Sequence, residues 1–236
     1  MFADASSIDS GSRSFMKMAD AFKDQEIVPA TIQEVMPNGH TAQRLSVTPR
    51  GSDISVNILH NRLDAIWPPL VPDGSTRKID LEEFLGKAID SISKISEAYF
   101  LKGNRLALVC EYIYNCGPEN SSAIRDKINP NLYQSLNSGE RLEWVTRQVV
   151  RVEKILESEP LNFSVEFSEA KGEMFEGGRA IAIEGIRRHI DINTLRENTT
   201  PRFFPGSLAE FCEEAKSMLS KLDTDFHDIV KEACHE

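Results

Sequence analysis

Two stretches of the chain carry apolar side chains at three- and four-residue steps for many turns. In the first, Leu81, Phe84, Leu85, Ala88, Ile89, Ile92, Ile95 and Tyr99 form one stripe. In the second, Leu208, Phe211, Cys212, Ala215, Met218, Leu219, Leu222, Phe226, Ile229 and Ala233 do the same. That period predicts two amphipathic helices with one buried face each. Asp80 with Glu83, and Ser207 with Glu210, have the spacing of capping boxes at their N-termini. A shorter set in "FMKMADAF" (Phe15, Met18, Ala19, Phe22) predicts a short helix within an otherwise flexible, polar segment 1–25.

Alternation and β-branched runs predict the strands. "EIVPATIQEVM" (26–36) reads as an edge strand because Pro29 lacks a donor. "QRLSVTP" and "DISVNILH" flank Arg50-Gly51-Ser52 as a hairpin, and "NRLDAIW" (61–67) is expected to continue the second arm to Pro68-Pro69. A breaker-rich loop fills 68–79. "RLALVCEYIYN" (105–115) is a strand after Gly103-Asn104 closes the first long helix. "SSAIRDKI" and "NPNLYQSL" read as short helices or turns. "RLEWVTRQVVRVEKIL" (141–156) fits helical spacing through Leu142, Val145, Val149, Val152 and Leu156, and its β-branched run fits a strand; the strand is preferred. "LNFSVEF" and "RAIAIEGIRRHIDI" are strands joined by "SEAKGEMFEGG" as a hairpin loop.

The chain also resembles itself. Residues 54–94 laid on 181–221 without a gap match at eight of forty-one positions, including Asp64/Asp191, Leu81/Leu208, Phe84/Phe211 and Lys94/Lys221. Apolar parity switches at the same aligned place in both strands, which suggests a bulge, with Gly185 tolerating it in the second copy. The expected fold is therefore α+β: antiparallel sheet with two long helices on one face, duplicated about a pseudo-twofold, and the opposite sheet face free for a partner. The expected division is a flexible segment 1–25, a first half 26–139 and a second half 140–236.

Composition narrows the chemistry. A net charge of −10 argues against bulk attraction to nucleic acid or anionic membrane. Half the excess sits in the last thirty residues, with three Lys against eight acids, whereas 141–206 is nearly neutral. No apolar run reaches the roughly 20 residues a membrane helix needs, and the N-terminus lacks a basic start followed by an apolar block. Four cysteines without CxxC spacing predict neither a disulfide framework nor a zinc site. A reduced, cytoplasmic setting without cofactor or metal is expected.

Candidate sites follow from the aligned strands. "HNRLD" and "RRHID" place Asn61, Arg62, Arg187, Arg188 and His189 beside the expected bulges, where a partner could be bound, with Asp64 and Asp191 pairing internally. The breaker-rich loop "RENTTPRFFPG" adds Arg202 and Phe203 as contact residues, the competing reading being that Phe203 and Phe204 anchor the loop to the core. Glu169 and Lys171 form an acid-x-Lys motif; a metal-dependent nuclease would need a second acid, Glu153 or Glu166, to converge with them. No P-loop, GxGxxG or nucleophile elbow is present.

"NRLDAIW", the capped helix with Phe84, "EYIYN" (111–115) and the closing "DFHDIV" together resemble a sporadically distributed prokaryotic family without assigned activity. The resemblance spans most of 27–230, and the 68–79 linker departs from it by lacking a Tyr-Pro. It implies a cytosolic prokaryotic protein and transfers no catalytic residue. The functional expectation is a non-enzymatic binding or adaptor protein holding a protein partner, an accessory subunit of a bacterial multi-protein system of the mobile-element or phage-defence kind. The alternative is a nucleic-acid binder or metal-dependent nuclease built on the Arg-bearing second half.

Overall fold

The computed structural model describes residues 1–67, 80–129, 143–156, 159–176 and 179–234. Its elements run β1 (Phe2–Ala3), α1 (Ser12–Ala21), β2 (Ile27–Val35), β3 (Thr41–Pro49), β4 (Ser55–Leu59), β5 (Arg62–Ile66) and α2 (Leu81–Tyr99). They continue with β6 (Gly103–Arg105), β7 (Ala107–Asn115), α3 (Gly117–Ile128), β8 (Val145–Leu156), β9 (Glu159–Glu176), β10 (Arg179–Thr194) and α4 (Pro205–Cys234). The fold is α+β with two antiparallel sheets. The predicted linker 68–79, the segment "NPNLYQSL" after Asn129 and the Gly pair at 177–178 lie outside the described residues.

The chain divides into two compact units that interleave along the sequence instead of following one another as halves. Among the described residues the first takes 1–67, 80–106 and 196–212, and the second takes the rest. The strand expected over 105–115 is accordingly split: β6 belongs to the first sheet and β7 to the second, and Leu106, the residue that separates them in sequence, is fully buried.

In the first unit the sheet order is β2-β3-β4-β5-β1-β6. β2 is an edge strand, as Pro29 requires. Val47, Val56, Ile58 and Leu63 turn inward, and α2 packs against β4 and β5 with α1 beside it. Asp80 caps α2 by accepting the Glu83 N–H at 3.0 Å, whereas the Glu83 side chain pairs with Lys87 in place of closing the box. Residues 61–67 do not prolong β4. The chain reverses at His60-Asn61 and returns as β5, paired Ser55 to Ile66. The parity switch there is a hairpin, while 181–194 runs as part of one unbroken strand in regular register. The aligned stretches thus differ in structure, and the duplication finds no support in it.

The N-terminal segment also departs from the flexible tail expected of it. β1 sits inside the sheet between β5 and β6, and Met1, Ala3, Ala5 and Ile8 are buried. The Met1 α-amine donates to the Leu63 carbonyl at 2.8 Å. Burial pushes its pKa down to about 6 from 8.0, with the nearby Asp64 carboxylate partly opposing the shift. Between pH 8 and pH 6 the unfolded chain therefore takes up a proton that the folded chain refuses. Stability contributed by the neutral amine is complete above pH 8 and is lost as pH falls to 6, by up to about 2–3 kcal/mol. Urea unfolding of a Trp144→Phe variant, read by Trp67 fluorescence at pH 6, 7 and 8, should show the midpoint rising with pH. A flat midpoint would refute the assignment.

Candidate functional site on the open face of the second sheet

The second sheet has the order β7-β10-β9-β8. Side chains alternate between its faces, and the register sorts them. Ile186, Arg188, Ile190 and Ile192 of β10 are buried. On that side α3 and the later turns of α4 close a core of Ile124, Trp144, Ile186 and Val230, with Phe167, Phe226 and Ile229 packed on it. The stretch 145–156, ambiguous in sequence, is strand β8, paired with β9 from Val145↔Ser168 to Val152↔Leu161.

The other face carries three rows that run across all four strands. Ile113, Arg187, Ser168 and Val145 make the first; Glu111, His189, Glu166 and Arg147 the second; Val109, Asp191, Ser164 and Val149 the third. The two outer strands supply the apolar side chains. Val109, Ile113, Val145 and Val149 are 56%, 50%, 52% and 60% exposed. The two inner strands supply only polar ones, and Glu111 and Arg147 add one charge to each outer strand in the middle row.

Arg187 is the hub of the polar centre. It donates to Glu111 Oε2 at 2.5 Å and lies 3.8 Å from Glu166 Oε1. The hydrogen bond from Arg187 holds the Glu111 carboxyl below the usual carboxylate range, and the same bond raises Arg187. His189 Nδ1 is shielded, has no hydrogen-bond partner and lies 3.7 Å from Glu111 Oε2. Arg147 donates through Nε to Ser164 Oγ at 2.8 Å, and Arg151 to Asn162 Oδ1 at 3.0 Å. Asp191 accepts from Asn193 at 3.0 Å. Three arginines face three carboxylates, so the surface offers no net positive track for a polyanion.

The residues singled out in the sequence are distributed over several places. Arg187 and His189 share the open face. Arg188, their neighbour, points the opposite way, with a side chain only 7% exposed. Its guanidinium lies 4.6 Å from the Tyr112 ring centroid and 4.9 Å from that of Phe226. It donates to the Leu222 carbonyl at 3.2 Å and to Asp223. A groove of about 260 Å³ opens beside it, lined among others by Tyr112, Tyr114, Phe226 and His227. Burial, the Cys110 thiol and Asp223 push the Tyr112 phenol upward, so Tyr112 does not ionise near neutrality.

Asn61, Arg62, Arg202 and Phe203 belong to the first unit. The Asn61 carbonyl accepts from Ala3, and Arg62 binds Asp64 at 2.7 Å, the internal pairing expected for that aspartate. Arg202 donates to the carbonyls of Asn104, Asn198 and Thr200 and stacks 4.3 Å from Phe203. Phe203 is buried and exchanges backbone hydrogen bonds with Gly103. It anchors the loop, while Phe204 stays half exposed under Lys102.

Lys171 pairs with Glu169 at 3.2 Å on one face of β9, whereas Glu166, three residues earlier, falls on the other. The Glu153 side chain lies outside the described residues. Among those described, no three His, Cys, Asp or Glu side chains converge as metal ligands. The convergence a metal-dependent nuclease needs is therefore missing for the Glu166 nomination.

Sequence reasoning passed over the apolar rims and the charges between them. The signal was present as Val109-x-Glu111-x-Ile113 and Val145-x-Arg147-x-Val149, each on one parity of a strand. It could be read only once both strands were known to be sheet margins. Comparison with protein-family models, with curated proteins and with solved structures finds no match.

Proposed function

We propose that the protein is a non-enzymatic binding protein that holds a protein partner on the open face of its second sheet. The observation that carries this reading is the placement of four half-exposed valine and isoleucine side chains, on the two outer strands, around an ion-paired centre. An apolar margin supplies affinity by leaving water, and the fixed charges set register and exclude wrong partners. The role fits an accessory subunit of a larger bacterial assembly. The balanced charges favour protein over nucleic acid as the ligand.

The test is affinity capture of C-terminally tagged chain from its host, beside a Val145→Asp/Val149→Asp variant. The wild type should retain a protein in stoichiometric amount with an absorbance ratio free of nucleic acid. The variant should lose it while melting within a few degrees of wild type, because both positions are exposed. Retention by both chains, or nucleic acid in the wild-type eluate, would overturn the reading.

A further inference from the structure

The open face is complementary to itself. The β7 margin reads Val109, Glu111, Ile113 in successive rows, and the β8 margin reads Val149, Arg147, Val145 in the same rows. Consider a second copy placed face to face, related by a twofold axis lying between the sheets and parallel to the strands. That operation keeps each row in place and exchanges the two margins, so β7 lies over β8 of the other copy and β10 over its β9. Ile113 then meets Val145, Glu111 meets Arg147, and Val109 meets Val149. On the inner strands His189 meets Glu166. Each contact occurs twice, as an isologous interface requires.

We propose that the partner on this face is a second copy of the chain, joined as a face-to-face twofold dimer. The proposal rests on the reading of the open face as a protein-binding surface and names its occupant. A margin-to-margin match of opposite charge, flanked by apolar pairs in register, is what a self-associating face needs and what an unrelated partner would not demand. Within one chain Arg147 touches Ser164 and pairs with no carboxylate among the described residues. Glu111 is engaged through Oε2 alone, by Arg187 and, more distantly, by His189. Each therefore has capacity for the other across the axis.

Four strands about 4.8 Å apart and three to four rows about 7 Å apart give a face of roughly 450 Å² per copy. The total, about 900 Å², is the size of a weak, reversible interface. A dissociation constant of roughly 1–100 µM is expected.

Sedimentation velocity of the full chain from 5 to 300 µM tests this, with circular dichroism to verify folding of each variant. Wild type should move from 26.5 kDa toward twice that mass with concentration. Val149→Asp should stay monomeric. Arg147→Glu and Glu111→Arg should each weaken the dimer at least about tenfold, since opposite charge becomes like charge twice per dimer. The double exchange should return it to within about threefold of wild type.

A wild type monomeric throughout overturns the dimer. If it still captures another protein that Val149→Asp loses, the binding reading stands alone; if it captures nothing, both fall. A dimer indifferent to Val149→Asp and Arg147→Glu places the contact elsewhere and overturns the proposal. Single losses without rescue by the double exchange overturn the twofold register. Should Glu111→Arg fail to fold, Arg147→Glu and Val149→Asp, both at exposed positions, still decide whether this face is the interface.

Discussion

Gly185→Ala should unfold the second unit more readily than any other single methyl addition to its sheet. A Cβ built at Gly185 stands 1.9 Å from the Tyr114 carbonyl oxygen and 2.9 Å from its carbon. Both are backbone atoms of the neighbouring strand, so no side chain can swing aside. The strands are also pinned there from several directions. Asn115 donates through Nδ2 to the Ala182 carbonyl at 3.2 Å and accepts the Glu184 N–H at 3.0 Å. The Cys116 N–H meets the Glu184 carbonyl, and the Ser121 hydroxyl the Gly185 carbonyl. To admit the methyl group, β7 and β10 must part where these bonds converge. A loss of about 3–5 kcal/mol is expected, at the top of the range for single substitutions. For a protein of this size it lowers the melting temperature by about 10 °C. Gly172→Ala is the control: nothing lies within 4 Å of its added Cβ, so it should change stability by less than about 1 kcal/mol. A Gly185→Ala protein melting within 2 °C of wild type would show that the close approach does not exist in solution.

Arg188→Leu should cost about 2–3 kcal/mol, although the residue looks like a surface arginine in sequence. Its guanidinium lies against two aromatic rings and donates to a helix carbonyl and to Asp223, tying β10 to α4. Leucine keeps much of the apolar stem and loses the donors and the cation–π contacts. Asp223 is half exposed, so Asp223→Asn leaves an amide in water and should cost less than about 1 kcal/mol. Arg187→Ala, on the open face, should change stability little and weaken binding instead. Thermal melts of the three variants, set beside their capture yields, separate these roles. If Arg188→Leu melted like wild type but lost its partner, Arg188 would belong to the contact surface and the anchoring role would be wrong.

The two neighbours show where sequence reasoning reached its limit. Arg187 and Arg188 are indistinguishable as letters, and the sequence offers both as contacts. Strand alternation dictates that they face opposite ways, but only the position of α4 decides which way is inward. The parity shift around Gly185 suggests a bulge there in the sequence. The register is regular there. The glycine answers instead to the approach of β7, a neighbour seventy residues earlier.

Local physical chemistry in the chain was sufficient for the helical state of 81–99 and 205–234, the Asp80 cap, the edge placement of β2 and the strand at 145–156. Each depends on residues within a few turns or on one strand's alternation. The N-terminal strand, the reversal at His60-Asn61, the split at Leu106 and the interleaved units were settled only in three dimensions. In each of these a short segment takes its state from a distant partner: β1 from β5 and β6, and β7 from β10. The open face has the same origin. Its valines and charges were in the sequence from the start, but they became a surface only when hydrogen bonding aligned four strands in one register, with α3 and the later turns of α4 on the other side.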